Sequence, residues 1–395
     1  MSRSVMRKTN RLNPPQNISA SNDAESAEHD PAAVVQQFLD ASLDQQVRVI
    51  HLEQESSGCR IRQRANGLLS EQRMPSPTFA GDFRHYLQRT VATHSDESSG
   101  FTTQLTHRHV ECHLHCSWYD TLRGEVVVLE IFNERNVPEA LEQTTLDQTS
   151  TQQLRQQINQ LSGGVLVVSA RSASLLCDLY YPLLGELSGL ENKVVSIESA
   201  ARKSMPRINQ VSVNAELVTP TDASHVFIDW QAVRQRHALD GLLAEYRTAV
   251  VFVQSANLPS AIRQLTDVSF SERQLASNLT SLIDIDRVRL ICPHCASAHQ
   301  PSGNEISQLS QQGFDAHSTL NYATGCNTCD HTGFGDTKTL MAIYPVSDKL
   351  RRSVESRDSD NMQTALNDGT VVSIDNQRRE LISCGQVEFK QTAAG

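Results

Sequence analysis

Val165-Leu166-Val167-Val168-Ser169-Ala170-Arg171-Ser172-Ala173-Ser174-Leu175-Leu176 opens the part of the chain that decides its class. The unbroken apolar run Val165–Val168 is rich in β-branched residues, as suits a strand buried on both faces. From Ser172 to Leu187 the apolar spacing becomes helical. Val194–Ile197, Val226–Ile228 and Val250–Val253 repeat the short apolar run. The segments Gln231–Tyr246, Pro259–Thr266 and Glu272–Leu282 read as helices. Strands that alternate with helices predict an α/β fold with a parallel sheet.

Upstream, the periods differ. Pro31–Leu43 has helical spacing, Val47–Leu52 reads as a strand, and CRIRQRANGLL alternates and closes on Asn66-Gly67, a hairpin signal. Residues 81–94 read as a helix and 95–104 as a polar loop. His109–Ser117 and Glu125–Phe132 alternate around a turn containing Arg123-Gly124. The expected organisation is a tail over 1–31, an α+β domain over 32–138, a linker with a Gln/Thr-rich helix over 139–162, the α/β domain over 163–345, and a polar, partly helical tail over 346–395.

Composition narrows the function classes. The 395 residues carry a net charge of −10, which argues against a nucleic-acid or anionic-membrane binder, since these present a basic face. No apolar run approaches the ~20 residues of a membrane-spanning helix. Arg3, Arg7 and Lys8 are followed by no apolar stretch, so the start does not read as a secretory signal. Its Ser, Asn, Asp and Glu content predicts disorder over about the first thirty residues. The nine cysteines are not spaced as a disulfide framework and suit a reducing cytosol.

Four of them stand out. Cys292-Pro293-His294-Cys295 and Cys326-Asn327-Thr328-Cys329 are separated by thirty residues. Each CxxC can form a knuckle with two thiolates on one edge of a tetrahedron, and two knuckles complete a closed Cys₄ shell around Zn²⁺. A closed shell predicts a structural ion. His294, His299 and His331 lie nearby but are not needed as ligands. In Cys112-His113-Leu114-His115-Cys116, strand alternation sends the cysteines to one face and the histidines to the other, so they read as incidental. Arg60, Arg62 and Arg64 form one basic row on a strand; a subunit contact and a solvated face remain equally open.

The zinc motif also carries a resemblance. Asp286-Arg-Val-Arg-Leu-Ile-Cys-Pro-His-Cys295, then Gly325-Cys-Asn-Thr-Cys-Asp-His-Thr-Gly-Phe334, then Ile343-Tyr344, resembles the C-terminal zinc segment of the type II secretion and type IV pilus assembly ATPases, the general secretory pathway protein E family. Val49–Glu53, Arg60–Leu68, Arg123–Val128 and Met205–Asn214 resemble further segments of that family in the same order. The similarity covers roughly residues 32–350. It implies a RecA-like P-loop NTPase-type core with a zinc insertion at 290–335, preceded by a smaller α+β, PAS-like domain, with the family's extra N-terminal docking domain absent or replaced by the tail. It further implies a cytoplasmic hexameric motor, peripheral to the inner membrane through platform proteins.

That chemistry needs phosphate-wrapping glycines, a Lys for the β/γ-phosphates and a Ser/Thr for magnesium. At the corresponding place Ser169, Arg171 and Ser174 replace the pattern, Leu175 stands for the Lys and Leu176 for the Ser/Thr. Asp229-Trp230 replaces the Gly-Glu pair of the third strand. Glu198 remains from the acidic box, beside Ser199 where an Asp is usual. The His-box position, Val253–Ser260, has no His, and His115 and Glu130 replace arginines that reach a neighbour's nucleotide. The expectation is a pseudo-ATPase without ATP or Mg²⁺ binding, a structural or regulatory partner of an active paralogue or of inner-membrane platform proteins, in its own ring or a mixed one. The alternatives are a divergent active ATPase, which would need a GxxxxGK[ST] that the chain lacks, and a zinc-ribbon adaptor.

Overall fold

The computed structural model describes residues 31–44, 47–65, 68–90, 100–189, 192–198, 201–212, 223–233, 248–268, 270–311, 314, 320–329 and 331–389. The expected tail and the Asn66-Gly67 turn lie outside them. Contacts divide the chain into two compact units, the first Met1–Val137 with Ala200–Lys203 and the second Pro138–Ser199 with Ser204–Gly395.

The first unit is an antiparallel sheet of order β3-β2-β1-β6-β5-β4 with two helices. Its strands are β1 (Val49–Glu55), β2 (Gly58–Ala65), β3 (Leu68–Met74), β4 (Gly100–His107), β5 (Val110–Thr121) and β6 (Gly124–Asn133). Helix α1 (Pro31–Asp44) buries Val35, Phe38, Leu39 and Leu43, one helical stripe, and α2 (Phe79–Thr90) buries Phe79, Phe83 and Leu87. Phe38 meets Phe79 and Phe83 edge-on at 5.5 and 5.9 Å. Ile50, Leu52, Ile61, Leu114 and Leu129 join them in one core. Residues 100–104, expected in a loop, are the start of edge strand β4. Their threonines and glutamine read as polar, but alternation buries Phe101 and Thr103.

The second unit is built on a seven-stranded sheet of order β15-β12-β7-β11-β10-β8-β9. Its strands are β7 (Gly164–Ala170), β8 (Val194–Glu198), β9 (Asn209–Ser212), β10 (His225–Asp229), β11 (Thr248–Gln254), β12 (Leu279–Ile291) and β15 (Phe334–Pro345). All pairs are parallel except β12 with β15. The expected α/β class with a parallel sheet is therefore observed. Val165–Val168 are fully buried between β11 and β12, which is why they form an unbroken apolar run.

Helix α3 (Gln148–Asn159), capped by the Asp147 carboxylate on the Ser150 N–H at 2.8 Å, buries Leu154 and Ile158. Its Arg155 grips Glu186 of α4 (Ala173–Leu187) through Nε and Nη2. The expected helix Glu272–Leu282 ends at Asn278, and Leu279 begins β12. Leu279–Ile291 is strand, buried on both faces through Leu282, Ile283 and Ile285, because β7 and β15 supply both ladders. Of Gln231–Tyr246, the described part is helical only to Val233; the rest lies outside the described residues. The segment from Asp348, expected as a polar, partly helical tail, forms helices Asp348–Glu355, Ser359–Leu366 and Ile374–Ser383, whose Leu350, Val354, Met362 and Ile382 enter the core of the sheet.

Gly164 begins β7 at φ +86°, and a Cβ there would lie 2.4 Å from the Asn278 carbonyl oxygen. Gly164→Ala should destabilise the second unit by about 2 kcal/mol or more, through left-handed strain and this close approach. Urea denaturation checks it, with an unchanged midpoint as the contrary result.

Candidate functional site

The long strand β12 delivers Cys292 to its end, and β15 begins again at Phe334. Between them a small ribbon forms from β13 (Ala296–His299) and β14 (Leu320–Ala323), paired antiparallel. Each CxxC folds into a tight turn, with the Cys295 N–H donating to the Cys292 carbonyl and the Cys329 N–H to the Cys326 carbonyl, both at 3.2 Å. The Cys292 N–H donates to the Gly333 carbonyl at 2.9 Å and ties the two turns together.

All four Sγ atoms lie within 4.8 Å of one another. Three pairs are separated by 4.0 Å (Cys292 and Cys326), 3.8 Å (Cys295 and Cys329) and 3.7 Å (Cys326 and Cys329). A tetrahedral ion with bonds of about 2.3 Å to sulfur requires edges of roughly 3.8 Å. The donor set and its spacing therefore fit Zn²⁺, with no position left for substrate or water. Burial pushes the Cys329 thiol up, but the N–H groups of Cys326 and Gly333, 3.3 and 3.2 Å from its sulfur, outweigh that and hold it at about 6. Gly333 has φ +82°, and a Cβ there would meet Ala323 Cβ at 2.4 Å, so the N–H that faces sulfur comes from the residue that fits. His299 is engaged with Glu305 at 3.1 Å, and among the described residues no histidine joins the sulfur cluster.

The parallel strands end elsewhere in the same unit. Only Arg171 and Ser172 connect β7 to α4. Ser169 is fully buried and its hydroxyl meets that of Ser255 at 2.8 Å. Arg171 Nε donates to the Ala256 carbonyl at 3.1 Å. Ser174 is half-buried, whereas Leu175 and Leu176 are 2% and 7% exposed and pack into the core as helix residues. Asp229 ends β10, level with Phe252 and Val168 across the sheet, and accepts the Gln231 N–H at 3.1 Å. Trp230 beside it is buried. Glu198, at the end of β8, is 4% exposed. It accepts hydrogen bonds from the Tyr181 and Ser196 hydroxyls and from Gln210 Nε2 at 3.0 Å. The Tyr180 hydroxyl meets Ser196 at 2.9 Å. Both tyrosines belong to α4, so this acid anchors that helix to the sheet.

In the first unit, Arg60 pairs with Glu55 and Arg62 with Glu53 on the neighbouring strand, which makes these two part of a cross-strand ion ladder. His115 lies 3.6 Å from Glu130. Cys112 and Cys116 are buried in the core, and His113 faces the other way. It reaches Glu134 at 3.0 Å, and Glu111 lies close by. Sequence reading missed this trio because Glu134 is distant along the chain. It also missed Asp284 and Asp286, which only a strand reading of Leu279–Ile291 could have placed.

Residues 25–227 and 251–393 match the family described as Type II/IV secretion system protein. The chain is 23% identical to the type II secretion system protein E of Dickeya dadantii over 60% of its own length and 49% of that protein. It is 24% identical to the type IV pilus assembly ATPase TfpB of Acinetobacter baylyi over 79% of its own length and 55% of that relative. It thus spans about half the length of these curated relatives. In fold it is similar to the Yersinia pseudotuberculosis ATPase DotB (TM-score 0.54, 10% identity, 94% of this chain and 95% of that one). The pilus retraction motor PilT gives the same TM-score and identity over 91% and 95% of the two chains. The fold class expected from the resemblance, a RecA-like P-loop NTPase-type α/β core, is therefore the fold of this chain. By the extent of that match, the chain belongs to the Type II/IV secretion system protein family.

Proposed function

We propose that this chain is a catalytically silent member of its family, a structural or regulatory component of a type II secretion or type IV pilus machine. The observation that carries this is the two-residue connection between β7 and α4. Phosphate binding by a P-loop needs several glycines, so that the backbone N–H groups can curl round the anion, and a Lys to neutralise it. Here the strand runs almost directly into the helix, and Leu175 and Leu176 fill core space. Glu198 accepts from Tyr181, Ser196 and Gln210, an arrangement that stabilises α4 rather than serving a magnesium-bound water. At the first-unit positions taken as nucleotide-reaching arginines in the resemblance, the His115–Glu130 pair would offer phosphate no firm positive charge.

On this reading the chain supplies architecture. It assembles with copies of itself or with an active paralogue, and contacts inner-membrane platform proteins from the cytoplasmic side. The four cysteines hold a structural Zn²⁺ that clamps the far ends of β12 and β15. A divergent active ATPase remains the second reading, favoured by the fold shared with PilT and DotB.

Two measurements test this. Metal analysis should give about one zinc per chain, and Cys292→Ser should cost about 3 kcal/mol or more, a fall in Tm of roughly 6–12 °C for a unit of this size. Zinc-free protein, or a Cys292→Ser variant with unchanged Tm, contradicts the metal assignment. Purified chain should release no phosphate from ATP above background, and should co-purify from its native host with a secretion or pilus ATPase or a platform protein. Turnover that follows the chain through size exclusion, or recovery of none of these partners, contradicts the functional reading.

A further inference from the structure

A cavity of about 450 Å³ lies where the carboxyl ends of β7, β11 and β12 meet the C-terminal helices. From β7 the chain leaves towards β8, past β11 and β10, whereas from β11 it crosses back over β7 to reach β12. The ends of β7 and β11 are thus a topological switch point, where open α/β sheets form their ligand crevices. The volume falls within the ~300–1,000 Å³ of small-molecule sites.

Most polar groups in the wall are already engaged. Asp286 is paired with Arg378, Arg171 donates to the Ala256 carbonyl, and Asn257 accepts the Ser260 N–H at 2.9 Å. Two titratable groups are less engaged. Tyr344 of β15 is 6% exposed, and its hydroxyl has no hydrogen-bond partner among the described residues. The hydroxyl opens into the cavity, where a polar group of a ligand can meet it. Asp284 of β12 receives a hydrogen bond only from the Ile285 N–H among the described residues.

The local charge defines the ligand. Burial, then Asp286 and, more weakly, Asp375, push the Asp284 carboxyl up to about 7 against the opposing pull of Arg171. Burial, Asp284 and Asp375 push Tyr344 up to about 12. The wall is therefore short of a positive charge near Asp284. A metal ion is a poor match, because the only described side-chain groups whose ligand atoms converge on one point are the four cysteines and Glu111, His113 and Glu134, all elsewhere. Arg171 and Arg379 also line the wall but are engaged with the Ala256 carbonyl and Asn376, so a phosphate would face Asp284 and Asp375 with the wall's cations already committed.

We propose that this cavity binds a small organic cation, whose primary ammonium seats on the Asp284 carboxylate and whose second polar group meets the Tyr344 hydroxyl. Binding strips the proton from Asp284 and satisfies both groups at once. Arg171 and Ala256–Pro259 line it, so the proposal rests on the reading that this chain does not use that place for ATP.

Calorimetric titration of the full chain at pH 6.5, below the Asp284 value of about 7, with putrescine, agmatine and spermidine tests it. At least one probe should bind one-to-one with Kd of about 0.1 mM. Repeating the titration in two buffers of different ionisation enthalpy should reveal proton release. Asp284→Asn and Tyr344→Phe should each weaken binding at least about tenfold, with circular dichroism unchanged. Should Asp284→Asn fail to fold, Tyr344→Phe decides, since it removes only a hydroxyl that makes no internal hydrogen bond. The proposal is overturned if none of the three probes binds, if a folded Asp284→Asn or Tyr344→Phe variant binds as well as the parent, or if ATP displaces the probe.

Discussion

Strand β12 is hydrogen-bonded along both sides, parallel to β7 through Leu279–Ile285 and antiparallel to β15 through Ser281–Ile291. The rest of the second unit depends on that double ladder. It places Leu282 and Ile285 in the core, holds Asp284 at the cavity wall, and continues past the sheet to deliver Cys292. Arg289 stacks on Phe334 at 4.4 Å where the two strands leave the sheet, so the base of the cysteine ribbon is fixed before the knuckles begin. An ion bound there would close the hairpin at its far end and limit fraying of a ladder that also forms one wall of the cavity.

The turn after β7 borders the same cavity, through Arg171. In the family chemistry, the strand-to-helix turn after the first core strand must stay open and rich in N–H groups. Here that turn is reduced to Arg171-Ser172, and α4 is buried from Leu175 through Leu184. Ser169 and Ser255 spend their hydroxyls on each other. Glu198 spends its carboxylate on Tyr181, Ser196 and Gln210. On the proposed reading, each of these contacts gives to protein a group that could otherwise meet ligand or water.

Much of this was legible in the sequence where one physical demand dominated. Val165–Val168 and Val250–Val253 could be read as strands because burial on both faces forbids polar residues. The cysteine pairs could be read as a cluster because tetrahedral ligation dictates their short spacing. Where demands competed, reading failed. Leu279–Leu282 followed a helical stretch without a break and became strand because two neighbours offered hydrogen bonds. The threonines of β4 looked like loop until alternation against β5 set their faces. The helices after Asp348 have polar surfaces, and their few apolar residues acquire meaning only against the sheet. Asp284, Tyr344 and Glu134 could not be singled out at all, because their significance arises from groups brought near by folding.

The central claim is that the architecture of a secretion-family ATPase persists here without its phosphate site. Equilibrium binding of Mg-ATP to the purified, zinc-loaded chain, followed by isothermal calorimetry, tests it most directly. The account predicts no saturable heat at nucleotide concentrations up to about 1 mM. A one-to-one isotherm with Kd in the range of about 1–10 μM would contradict it.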